Sequence, residues 1–194
     1  MTKTLYLVRH GQTLFNVKTL MQGWVDSPLT EAGIEQAERI GRYVAHEHLS
    51  FDHAYASTLT RTQATLELIT SMPYGREPGL REWYFGLYEG ERYDILPPRP
   101  WNDFFVAFGG ETQQQLRDRM VETLTDIMNR PDHECVLAVS SASACKEFRD
   151  FWHPEFEGAR VPGNCSIMRF TYDGTRFELA QVLEQDDLKA ALGE

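Results

Sequence analysis

Cysteine is scarce in this chain, limited to Cys135, Cys145 and Cys165, with no C-x-x-C pair and no neighbouring histidine pattern. An odd number at wide spacing excludes a disulfide framework and a zinc ligand set, so a reducing cytoplasm is the expected location. Long apolar runs are missing too. The first apolar stretch, Leu5 to Val8, is far too short for a signal-peptide core or a membrane span, and no membrane association is expected. Positive charge is also in short supply, with 19 Lys and Arg against 29 Asp and Glu for a net charge of -10. That excludes a general electrostatic grip on nucleic acid, although arginines that converge locally still bind an anion. Repeats, low-complexity tracts and Ser/Gly linkers are absent, so nothing divides the chain.

What is present is an ordinary globular composition, 42% hydrophobic and 25% charged over 194 residues. A chain of this length buries roughly 70% of its unfolded surface and forms a core without staples. One domain over 1–194 is expected, with an irregular insertion at about 83–110. Residues 4–8 read as a buried strand followed by a loop to about 29. A helix runs from Thr30 to about His48, with Ile34, Ala37, Gly41 and Val44 as its apolar stripe. His53–Ser57 reads as a strand and Thr58–Ser71 as a helix stopped by Pro73.

Thr112–Arg130 is a long helix, Cys135–Val139 a buried strand and Ser143–Trp152 a short helix. Ser166–Tyr172 and Phe177–Leu183 are strands joined by the Asp173-Gly174 turn. The acidic run Glu184, Gln185, Asp186, Asp187 reads as a solvated face. Strands separated by helices imply an α/β fold in three layers, a mostly parallel central sheet with helices on both faces and an antiparallel C-terminal hairpin strand.

In such sheets ligands bind beyond the carboxyl ends of the strands. Arg9-His10-Gly11-Gln12-Thr13 follows the first strand; Ser57, and Arg61 one helical turn on, follow the second. Two arginines from separate strand ends form a fork suited to a tetrahedral oxyanion. The aromatics Trp83, Tyr84, Phe85, Trp101, Phe104, Phe105 and Phe108 read as packing under a long loop, with a lid over the site as the second reading.

Leu7-Val8-Arg9-His10-Gly11-Gln12-Thr13 resembles the signature of the histidine phosphatase superfamily, the phosphoglycerate mutase-like proteins. Asn16, the run Gln22-Gly23-Trp24-Val25-Asp26-Ser27-Pro28-Leu29-Thr30 with Gly33, and Ser57 to Ala64 resemble the family in order and spacing. So do Leu80-Arg81-Glu82 with Phe85-Gly86 and Tyr88-Glu89-Gly90, and Gly109-Gly110-Glu111-Thr112. The resemblance implies phosphoryl transfer through a phosphohistidine. His10 is then the nucleophile, Arg9 and Arg61 hold the phosphoryl oxygens, and Glu82 moves the proton. Asn16 matches a phosphate contact, and Gln22 and Gly23 match the substrate mouth. Two guanidiniums take the charge-neutralising role, so neither metal nor cofactor is implied. The partner is a small phosphorylated substrate or inorganic phosphate; a homodimer stays open.

One departure stands out. The family places a second histidine after a later strand in a Ser-His-Gly motif, where this chain has Ser140-Ser141-Ala142. Ser141 supplies one hydroxyl hydrogen bond and no positive charge in the substrate site. The leading expectation is a metal-independent phosphohydrolase of reduced activity. The alternatives are a catalytically degenerate pseudophosphatase that binds a phosphorylated metabolite, and, third, a phosphoglycerate mutase. His153 is the one other histidine near enough in sequence to swing in, and a surface helix-end role is expected for it.

Overall fold

The computed structural model describes residues 2–194. Strands β1 (Lys3–Arg9), β2 (His53–Ala56), β3 (Gly75–Arg76), β4 (Cys135–Ser140), β5 (Ile167–Tyr172) and β6 (Phe177–Leu183) form one sheet in the order β3-β2-β4-β1-β5-β6. The pairs β1–β4, β2–β4 and β2–β3 are parallel, whereas β5 is antiparallel to both β1 and β6. The expected mixed sheet with its antiparallel hairpin strand is therefore observed. Because the parallel strands share a direction, the residues after β1, β2 and β4 emerge at one edge.

Strand alternation explains the three layers. Leu5 and Leu7 of β1 face one core with Leu116, Met120 and Leu124 of α4 (Gln113–Asn129) and Phe148 of α5 (Ala142–Trp152). Tyr6 and Val8 face the other, with Ala37 and Ile40 of α2 (Glu31–His46), Leu66 and Ile69 of α3 (Thr60–Ile69) and Leu188 of α6 (Gln185–Leu192). Among the described residues no helix is long and apolar enough to cross a membrane.

Three sequence expectations need correction. The stripe on α2 is rotated: Gly33, Ala37 and Ile40 face inward while Ile34 is 39% exposed, and Arg39 is buried against Glu194, Glu35 and Gln185. The acidic run is solvated as expected at Asp186 and Asp187, but it also starts α6, where Glu184 and Asp187 close a capping box and acids in the first turn suit the helix dipole. The stretch after β1 contains α1 (Leu14–Val17), capped by Thr13, whose side chain and that of Asn16 bond reciprocally to the backbone.

The segment at 83–110 has short 3₁₀ turns at Gly86–Tyr88, Tyr93–Ile95 and Phe104–Phe108. Trp83, Phe85, Trp101 and Phe105 are buried and stack mostly edge to face with one another. Those four rings extend the core and are not a lid. The three thiols are free, and burial pushes the Cys135 thiol up to about 11. Cys145 and Cys165 are fully enclosed and likewise raised.

Candidate active site

At the shared edge of β1, β2 and β4 a small chamber of about 30 Å³ is lined by Arg9, His10, Asn16, Gln22, Gly23, Arg61, Glu82, Phe85, Tyr93 and Ala142. That is room for roughly two waters. The fold thus gathers seven of the eight expected site residues. The eighth, Ser141, does not line the chamber; Ala142 does.

His10 leaves the end of β1 with its backbone N–H donating to Ser140 O at 3.0 Å, which ties it to β4. Its ring is buried, with Nδ1 2.8 Å from Gly11 O. A carbonyl only accepts, so Nδ1 carries the proton and Nε2 keeps a lone pair. Burial, then the charges of Arg61 and Arg9, hold the imidazole pKa well below the ordinary 6.5, against the opposing bond to Gly11. The ring is therefore neutral at neutral pH. In the unfolded chain it binds a proton that the folded chain refuses, so this group lowers stability as pH falls below 6.5. A histidine titration followed by NMR is expected to show the His10 ring unchanged through pH 6.5; titration at an ordinary value would contradict the burial argument.

Arg61 sits in the first turn of α3 and is 1% exposed. It donates to Gly23 O at 2.7 Å and Val25 O at 2.9 Å and pairs with Asp26 at 3.2 Å. Asp26 in turn accepts the backbone N–H of Thr60, satisfying an otherwise orphaned donor at the start of α3. Arg9 donates to Pro162 O at 2.6 Å. Burial lowers the proton affinity of both guanidiniums, and the charge of Glu82 opposes it in each. Buried polar atoms on three lining residues, Arg9 Nε, Arg61 Nε and Gln22 Oε1, have no partner among the described residues. Such groups are costly unless something satisfies them.

Several acids compete for the proton-moving role in the sequence, and the structure sorts them. Glu82 reaches the chamber, its carboxylate accepting N–H from Trp83 at 2.8 Å and from Ser143 and Ala144 at 3.0 Å each, the last two at the start of α5. Glu89 instead braces the loop before α2, accepting from Trp24 at 2.7 Å and Val25 at 2.9 Å, and Glu77 pairs with Arg130. Gly23 is required on two counts. Its φ is +56°, and a Cβ there would collide with Glu89 Oε1. Gly23→Ala is expected to cost about 2 kcal/mol, read as a lowered midpoint in urea, because it strains the backbone and displaces the brace together.

Asn16 accepts through Oδ1 from Thr13 and from Asn164 Nδ2 at 3.2 Å, which leaves its own amide donors free. Asn164, which also donates to His10 O at 3.0 Å, and Tyr93 are missed by sequence reasoning; an isolated polar or aromatic residue in an irregular loop carries no spacing signal. His153 stands at the C-terminal end of α5 as expected, but it is buried and not at the surface. Its Nε2 accepts the Leu179 N–H at 2.8 Å and Nδ1 faces Glu155 at 3.0 Å, so it joins α5 to β6. Ser141 stands at the N-cap of α5 without a capping bond, and its Oγ is buried with no partner among the described residues.

A buried imidazole beside two guanidiniums at strand carboxyl ends is an arrangement suited to an anion. The sequence matches the Histidine phosphatase superfamily (branch 1) over residues 5–185, and the chain belongs to that family. It is 34% identical over 183 residues to the protein named "Probable phosphoglycerate mutase GpmB" from Yersinia pestis, covering 87% of this chain and 84% of that one. The Bacillus stearothermophilus YhfR structure superposes with a TM-score of 0.80 at 30% identity, covering 91% of this chain and 95% of the other. Three 2,3-bisphosphoglycerate-dependent phosphoglycerate mutases match over 34% to 65% of their own length. The one from Azorhizobium caulinodans is 51% identical over 69 residues, 36% of this chain and 34% of that protein.

Proposed function

We propose that the chain is a metal-independent phosphohydrolase that acts on a small phosphomonoester through a phosphohistidine. The observation that carries this reading is the His10 ring, whose Nδ1–H is committed to Gly11 O while Nε2 stays unprotonated in a chamber shared with Arg9 and Arg61. In the first step Nε2 attacks phosphorus, the P–O bond to the leaving group breaks, and Glu82 delivers a proton to the departing oxygen. In the second, water attacks phosphorus, its proton passes to Glu82, and the P–N bond breaks to release phosphate and neutral His10. Arg9 and Arg61 offset charge on the phosphoryl oxygens in both steps, the role a metal fills elsewhere. Asn16, with its free amide donors, and Gln22 suit further phosphoryl contacts, while Gly23 shapes the mouth.

A pseudophosphatase that binds a phosphorylated metabolite is the second reading, and the serine at 141 favours it. Glu82 in the chamber speaks against it, because pure binding of an anion gains nothing from a carboxylate there. A mutase reading rests on the names of relatives alone. The test is turnover of an aryl phosphate by the wild type, His10→Ala and Ser141→His. The hydrolase reading expects wild-type activity that vanishes with His10→Ala; an inert wild type that gains activity only from Ser141→His would establish the binder.

Ser141 yields a separate prediction. Its buried, partnerless hydroxyl is a stability cost, so Ser141→Ala is expected to raise stability by about 1 kcal/mol in denaturant unfolding. Because Ser141 does not line the chamber, the same variant is expected to keep its turnover. Gain of stability with unchanged rate is the expected pairing; loss of stability would show a structural hydroxyl.

A further inference from the structure

Among the residues described around the chamber, Tyr93 brings the single hydroxyl. It is held from two directions. Residues 90–93 run beside residues 19–21, just before Gln22 and Gly23: Gly90 N–H donates to Met21 O at 2.8 Å, Met21 N–H to Glu91 O at 2.8 Å, and Tyr93 N–H to Thr19 O at 3.1 Å. The Tyr93 ring lies nearly parallel to Trp101, with 22° between the planes and 6.3 Å between centroids. Trp101 in turn packs edge to face on Phe85 and Phe105. A side chain fixed at both its backbone and its ring needs little ordering before it can act.

The residue straddles the wall of the chamber. It is 43% exposed as a whole, yet burial, then the charge of Glu82, pushes the phenol up to about 12 against the pull of Arg9, Arg99 and Arg61. Glu82, Arg9 and Arg61 all line the chamber, so the hydroxyl is the inward end of the ring. The phenol keeps its proton at neutral pH and is a donor. The Glu82 carboxylate takes its three bonds from the N–H groups of Trp83, Ser143 and Ala144, and among the described residues nothing accepts from the Tyr93 hydroxyl. The two guanidiniums, by contrast, commit part of their donor sets to the protein: Arg61 to Gly23 O, Val25 O and Asp26, and Arg9 to Pro162 O.

We infer that the Tyr93 hydroxyl is a third catalytic donor beside Arg9 and Arg61, giving its hydrogen bond to a non-bridging phosphoryl oxygen as charge builds there in the transition state. The O–H bond of Tyr93 stays intact in both half-reactions, and Glu82 remains the group that moves the proton. This role rests on the phosphohydrolase reading and adds a catalytic residue to it.

The test compares the wild type with Tyr93→Phe, which keeps the ring and its stacking on Trp101. Three readouts are taken: turnover of 4-nitrophenyl phosphate and of phenyl phosphate, whose leaving groups differ in basicity; binding of orthovanadate, a mimic of the five-coordinate phosphoryl group; and the urea midpoint. Removal of the hydroxyl is expected to lower kcat and kcat/KM together by about 10²-fold, by the same factor for both esters, and to weaken vanadate comparably. The urea midpoint is expected to hold, because the hydroxyl has no partner to lose. Wild-type rates in Tyr93→Phe would overturn the assignment and leave the hydrolase reading standing. A loss in kcat/KM that is larger for phenyl phosphate would make Tyr93 a donor to the leaving oxygen and overturn it, and a lowered midpoint would make the hydroxyl structural. An inert wild type whose vanadate affinity still falls in Tyr93→Phe overturns the hydrolase reading and supports the donor; an inert wild type with unchanged affinity overturns both.

Discussion

His10→Ala is expected to lower kcat for an aryl phosphate by at least about 10⁴-fold, the scale of losing a covalent nucleophile. The expectation follows from geometry. Nδ1–H is fixed on Gly11 O, and burial beside Arg9 and Arg61 keeps the ring neutral, so Nε2 is the one lone pair aimed at catalysis that this imidazole offers. Alanine leaves the two guanidiniums to hold the phosphoryl group with nothing to attack it. Because a buried cation-facing imidazole is removed, stability should hold or rise below pH 6.5, which separates a chemical loss from a folding one. A variant that keeps a tenth of wild-type activity would mean that water attacks directly and His10 is a spectator.

Arg61→Ala should cost about 10³-fold in kcat/KM, with a fall in stability of roughly 2 kcal/mol. Two effects combine. The fully buried side chain joins the Gly23 and Val25 carbonyls and Asp26, so its loss frees the loop that forms the chamber mouth. It also removes half of the guanidinium pair. Arg61→Lys separates the two: a point charge restores electrostatics without the planar fork, and recovery of no more than about ten-fold is expected. Full recovery by lysine would show that charge alone matters; kinetics and urea unfolding of both variants make the comparison.

Much of the fold and of the chamber is legible in the amino-acid sequence. The Arg9-His10-Gly11 run after a buried apolar strand, and Arg61 one turn after another, mark a two-arginine anion site because charged groups at strand mouths need partners. Helix periods locate α4 and α5 to within a residue or so, since Leu116, Met120 and Leu124 recur at helical spacing. The stripe of α2 is misplaced by the same reasoning because hydrophobicity alone favours Ile34, while close packing at Gly33, whose Cβ would strike the backbone of Gln12, sets the helix rotation. The start of α6 is hidden by composition: Glu184 and Asp187 look solvated but act as caps. Tyr93 and Asn164 reach the site from irregular loops, where no period links sequence to position. Glu82 stands among Glu77, Glu89 and Glu91; the Leu80-Arg81-Glu82 motif singles it out in the sequence, and its place in the chamber and its three bonds to Trp83 and the start of α5 single it out in the structure.

The central claim is a covalent phosphoryl group on His10. The most direct measurement is rapid quench of the wild type with excess phosphomonoester, followed by peptide mass spectrometry under alkaline conditions that preserve phosphohistidine. The account predicts one added phosphoryl mass on the peptide containing His10, formed and lost at rates that match turnover, and absent from His10→Ala. Turnover without that adduct, or a phosphoryl group trapped on another residue, would contradict it.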